Sequence, residues 1–234
     1  MENAPEINPE IKNPANLIYK ENFDGTINKE IFNLNRMEES RYVFTEIDGK
    51  KAIEITVREG DKEEIASNGT YTERAEISEN KDIFAPIGNE VWHGLSVYFP
   101  PDFTIEKNRL VFAQWKQKTE GDESPFLSLR YINGKLIVQV SNENEKINIF
   151  RKKIDLRGGW HDFKIDYKLD KKDSGFAKVW MGDDLIADYE GKMGYSDSRE
   201  LAYFKAGLYR DKSKIPQIVG LTAVRRGPTK ESIS

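Results

Sequence analysis

The sequence predicts an all-β fold, a sandwich or barrel of antiparallel strands, and three observations carry that prediction. Segments with strand periodicity recur at short spacing, with turn residues between them. No stretch shows sustained helical periodicity. The pair Asn133-Gly134 sits between two such segments and supplies the positive φ that a type I′ hairpin needs at both central residues.

Taken along the chain, strands are expected at 51–59 and at 71–78. In the second, Ala75 and Ile77 face inward while Thr72, Arg74, Glu76 and Ser78 share the other face, because strand side chains alternate. A strand at 90–99 carries Trp92 and His93, and one at 110–118 reads with Val111, Ala113 and Trp115 toward the core and Gln114, Lys116 and Lys118 opposite. Segment 126–132 buries Leu127 and Leu129 and presents Ser128 and Arg130; 136–141 returns through the Asn133-Gly134 turn. Strands at 160–168, 176–181 and 185–189 follow, the last two joined at Gly182-Asp183. Segment 203–209 sets Tyr203, Lys205, Gly207 and Tyr209 on one face and Phe204, Ala206 and Leu208 on the other; 217–225 closes the series.

The chain has 234 residues, 38% of them hydrophobic, which suits one packed domain over 17–226 between polar tails at 1–16 and 227–234. With no cysteine, disulfide frameworks, thiolate metal sites and thiol nucleophiles are excluded. No apolar run is long enough to span a membrane, so no membrane partner is expected. The first residues lack an export signal, although a leader removed before this start is compatible with export. A net charge of −4 and the lack of any recognisable nucleic-acid motif argue against nucleic acid, and an anionic ligand must meet a local basic patch.

Four strands carry such polar faces. Each alone reads as an ordinary solvated sheet face. Together they supply the cations Arg74, Lys116, Arg130 and Lys205 with the uncharged donors Gln114, Tyr203 and Tyr209, a set suited to a sugar carboxylate.

The same segments resemble a family. Thr72-Glu73-Arg74-Ala75-Glu76-Ile77, Val91-Trp92-His93-Gly94-Leu95-Ser96-Val97-Tyr98-Phe99-Pro100, Phe112-Ala113-Gln114-Trp115-Lys116 and Tyr203-Phe204-Lys205-Ala206-Gly207-Leu208-Tyr209 are similar, in order, to strands of β-jelly-roll polysaccharide lyases. That group includes alginate lyases, glucuronan lyase and heparin lyase I. The resemblance implies a jelly-roll sandwich of two antiparallel sheets with a concave substrate cleft, acting as a secreted or periplasmic monomer on an acidic polysaccharide, with no cofactor required. It implies β-elimination at a 4-linked uronic acid, which needs carboxylate neutralisation, a base for the C5 proton and an acid for the leaving C4 oxygen. Tyr209 is then the base, since neighbouring cations favour an ionised phenol. Gln114 and Arg74 hold the carboxylate, Glu76 orients Arg74, and Lys205, Tyr203, Ser128, Arg130 and Lys118 contact substrate.

One departure bears on specificity. Alginate lyases commonly read Gln-Ile-His where this chain reads Gln114-Trp115-Lys116. In those enzymes the histidine goes with anti elimination, so its loss favours mannuronate or glucuronate. A lysine is catalytic in another jelly-roll lyase group, which leaves Lys116 as an alternative base.

Of the two histidines, His93 is a candidate to face the cleft and His161 reads as structural, so a histidine metal site is not expected. The acidic stretch 170–173 is compatible with calcium but reads better as solvated loop charge. Two other classes stay open: a non-catalytic carbohydrate-binding module on the same fold, and a jelly-roll glycoside hydrolase, for which Glu46 and Asp48 are the nearest carboxylates.

Overall fold

The computed structural model describes residues 18–34, 37–65, 71–119, 123–170, 174–196 and 198–234. The expected N-terminal tail 1–16 lies outside the described residues, as does most of the acidic stretch 170–173.

Two antiparallel sheets pack face to face as a jelly-roll sandwich. One contains β1 (Tyr19–Glu21), β3 (Tyr42–Ile47), β4 (Lys50–Val57), β8 (Glu90–Phe99), β13 (Gly159–Lys168), β14 (Phe176–Met181), β15 (Asp184–Glu190) and β17 (Gln217–Gly227). Its order is β15-β14-β13-β8-β17-β4-β3, with β1 also on β17. The other contains β2 (Phe32–Asn33), β5 (Lys62–Ile65), β6 (Tyr71–Glu79), β7 (Ala85–Pro86), β9 (Leu110–Thr119), β10 (Leu127–Ile132), β11 (Lys135–Ser141), β12 (Lys146–Lys153) and β16 (Ser198–Asp211). Its central order is β12-β11-β10-β9-β16-β6-β2. All eleven expected strands form, and Asn133 and Gly134 adopt φ of 53° and 70° at their hairpin.

Period-two alternation builds the core. Phe99, Phe112, Phe163, Trp115, Phe204 and Tyr167 interlock edge-on or tilted between the sheets. Charged residues also occupy core positions, but as complementary pairs. Arg210 Nε donates to Glu73 Oε2 at 2.8 Å, with both side chains at most 1% exposed. Glu79 accepts from Tyr19 Oη at 2.9 Å and from Arg226 Nη1 at 3.1 Å. Burial alone would raise the Glu79 pKa, yet Arg226 and His93 hold it well below the usual carboxylate range.

The C-terminal segment differs from the expected tail. Residues 227–234 end β17 and turn through a 3-10 segment, Glu231–Ile233, that buries Ile233. Ile233 recovers burial energy by folding back on the sheet.

Candidate active site

The site lies on the face of β6, β9, β10 and β16 turned away from the core. Cross-strand register sets it up: Tyr209 is opposite Arg74 on β6, Lys205 opposite Gln114 on β9, and Ser128 on β10 is also opposite Gln114. Arg74, Gln114, Lys116, Arg130 and Tyr209 line a single pocket of about 110 Å³, together with Arg109, Val111 and Lys146.

Glu76 organises the centre. It is buried beneath the pocket, its Oε2 lies 3.2 Å from Arg74 Nε, and its Oε1 accepts a short hydrogen bond from Gln114 Nε2. The carboxylate thereby holds the guanidinium as an ion pair and the amide by a hydrogen bond. Arg130 donates from Nε to Ser128 Oγ at 2.9 Å, which turns it along the sheet. Burial, and repulsion from Arg109, lower the Arg130 pKa to about 10, so it remains a cation at neutral pH.

Tyr209 is flanked by two guanidinium groups. Arg74 Cζ stands 4.6 Å from its ring centroid and Arg109 Cζ 4.9 Å, while Arg109 Nη2 reaches the phenol oxygen at 3.5 Å. Asp211, at 2.8 Å from Arg109 Nη2, holds that second guanidinium in place.

The remaining expected residues continue the cleft. Lys205, Tyr203 and Lys118 line a neighbouring depression of about 510 Å³ with Ser78 and Asn33. Tyr203 is stacked on Phe84 at 4.5 Å and has Lys205 Nζ 5.9 Å from its ring. Glu79 reaches the edge of this depression from the core, and its Oε2 accepts the Phe204 backbone N–H at 2.9 Å, between Tyr203 and Lys205.

Two expectations are corrected. His93 does not face the cleft: it belongs to β8 in the other sheet, shares core parity with Val91 and Leu95, and is 1% exposed. It accepts from Trp115 Nε1 at 3.3 Å and lies 3.5 Å from Glu79; burial lowers its pKa, partly offset by Glu79. Val111 lines the pocket rather than the core, because the β9–β10 register shifts between Leu129 and Arg130 and pairs Val111 with Arg130. That bulge sends Phe112 inward in its place.

Sequence reasoning missed Arg109 and Lys146. Arg109 precedes β9 and has no strand parity to read, and Lys146 opens an edge strand that was not expected.

A basic trough holding the Tyr209 phenol crosses one sheet of the jelly-roll sandwich. The polysaccharide lyase family model matches residues 20–225, so this chain belongs to the polysaccharide lyases and is an enzyme of the lyase class. Solved structures share the fold. Endo-β-1,4-glucuronan lyase from the fungus Trichoderma reesei superposes with a TM-score of 0.61 at 16% identity, covering 88% of this chain and 98% of that one. Alginate lyase A1-II′, a member of polysaccharide lyase family-7, gives 0.57 at 17% identity over 81% and 83% of the two chains. Alginate lyase vAL-1 from Chlorella virus gives 0.55 at 12% identity over 81% and 89%. No curated protein sequence matches the chain.

Proposed function

We propose that this lyase cleaves a 4-linked uronic-acid polysaccharide containing mannuronate or glucuronate, such as alginate or glucuronan, by β-elimination. The observation that carries the reading is the Tyr209 phenol between the Arg74 and Arg109 guanidinium groups, within the same pocket as Gln114.

In this mechanism Arg74 and Gln114, held by Glu76, bind the substrate carboxylate and stabilise the negative charge that develops on it when C5 loses its proton. Tyr209 takes that proton. The C5–H electron pair becomes the C4–C5 double bond, the C4–O bond breaks, and the departing oxygen gains a proton from the same phenol or from Lys116. No water is consumed. The chain has Lys116 where a histidine would serve anti elimination, and this favours substrates in which the C5 proton and the C4 oxygen leave from one side. Lys205, Tyr203 and Lys118 extend the grip to neighbouring sugars. Saccharides of this size are met outside the cell, which fits an exported enzyme.

The test is ultraviolet absorbance of the unsaturated product on a panel of mannuronan, guluronan, glucuronan, hyaluronan and heparin. Absorbance should rise on mannuronan or glucuronan and fall by about 10²–10⁴-fold in Tyr209→Phe, with the circular dichroism of the variant unchanged. A rise confined to guluronan or heparin, or full activity in Tyr209→Phe, overturns the reading.

A further inference from the structure

A second depression, of about 560 Å³, lies on the outer face of the other sheet, across β4, β8, β13 and β17. A bulge creates it. Between Ser96 and Gly94 of β8, β17 advances from Thr222 to Arg225, three steps against two, and Ala223 takes the left-handed φ of 50°. An alanine held there costs about 1–3 kcal/mol, and the extra residue turns Arg225 outward while Val224 and Arg226 return to the core. Gly94 opposite adds no side chain, so the floor is low.

The walls mix charges. Lys50, Lys51, Lys164 and Arg225 face it as cations, and Asp162 and Asp183 as carboxylates. Lys164 pairs with Asp183 at 3.2 Å, Ser96 donates to Asp162, and Arg225 donates from Nη1 to the Ile233 carbonyl at 2.9 Å. The Arg225 Nε is buried without an acceptor in the protein. Lys51 is paired as well, with Asp24 at 3.8 Å and Glu46 at 3.9 Å, so Lys50 and Arg225 carry the attraction for an anion, whereas the two carboxylates among the cations repel a dense polyanion and accept hydroxyl groups. Hydroxyls and spaced carboxylates together describe an acidic sugar.

We propose that this depression is a second binding site for an anionic oligosaccharide, gripping polymer on the side of the molecule away from the catalytic cleft. That the sugar is a segment of the enzyme's own substrate rests on the function proposed above.

Titration of the ¹⁵N-labelled full chain, as Tyr209→Phe, with unsaturated tetrasaccharides of mannuronan and glucuronan separates the two sites. The amides of Gly94, Ser96, Gly182 and Asp183 should shift independently of those at Gln114 and Tyr209. Lys50→Glu/Lys51→Glu should abolish the first set and spare the second. The same double variant, with Tyr209 intact, should cleave tetrasaccharide as before while its KM on long polymer rises about three- to fivefold, the worth of an exposed charge contact. Shifts at the cleft alone overturn the second site and leave the proposed function standing. Shifts at the back face with a silent cleft overturn the function and keep the site. Shifts at neither overturn both, and equal shifts with a neutral cello-tetraose overturn the anionic class.

Discussion

Arg109 shows how much one side chain outside a regular strand can matter. It lies against the Tyr209 ring, with its Nη2 3.5 Å from the phenol oxygen, and is held there by Asp211. Its positive charge lies where charge develops on the phenol during the reaction. Arg109→Ala should therefore lower kcat/KM about tenfold with the melting temperature unchanged, and Arg109→Lys should restore most of it. A fall in melting temperature, or an equal loss in the lysine variant, would assign Arg109 to packing instead. Asp166 offers a second test. It is 6% exposed beside Trp92, its Oδ1 has no hydrogen-bond partner, and burial, reinforced by Glu90, raises its pKa to about 7. An unfolded aspartate titrates near 3.9, so between about pH 4 and 7 the folded chain keeps a proton that the unfolded chain has lost. Stability from this residue is then lost as pH rises through that window. Asp166→Asn should gain on the parent at pH 8 and not at pH 4 when melting temperatures are compared.

Strand β16 concentrates the design at the next scale. Gly207 sits between Lys205 and Tyr209 with φ of 135°, and a Cβ there would lie 2.3 Å from the Ala75 carbonyl oxygen. Gly207→Ala should cost about 1–3 kcal/mol from backbone strain alone, read as a melting drop of roughly 2–4 °C per kcal/mol, and should cut activity by displacing the two flanking side chains. Periodicity made the long strands legible, including the cleft face of β16, because alternation in a half-buried strand is imposed by the core. It could not announce β2 and β7, which have two residues each and exist through their partners. The Lys-rich edge strand β12 escaped for a related reason: its exposed positions have no core to select for. Bulges escaped as well, and one of them exchanged Val111 and Phe112 between faces. The buried ion pairs left a trace that went unread. Glu73 and Glu79 share the parity of Ala75 and Ile77, and Arg210 that of Phe204 and Leu208. Opposite charges at core parity on different strands foretell a buried pair, since neither could be there alone.

The whole molecule carries a net charge of −4 yet gathers Arg74, Arg109, Lys116, Arg130 and Lys146 around one pocket. A polyanion is therefore repelled by the molecule at long range and drawn in only where cations gather locally. Raising ionic strength from about 0.1 M to about 1 M shortens the Debye length from about 10 Å to about 3 Å. KM on polymer should rise across that range while kcat holds. A KM indifferent to salt would mean that hydroxyl contacts, rather than charge, secure the chain. The fold is legible because the pattern of strands survives at 16% identity to the fungal glucuronan lyase. The polymer is less so, because it depends on a few side chains whose spacing the sequence cannot give.

Two of the three buried carboxylates of β6 grip the catalytic strand, Glu79 at the Phe204 amide in its middle and Glu73 at Arg210 near its end. Water solvates ions less well as temperature rises, so the penalty for burying such pairs shrinks on heating. The grip on Tyr203 through Tyr209 thus tightens, relative to the rest of the sandwich, as the molecule warms, and the optimum temperature of the enzyme should fall at the onset of melting rather than well below it.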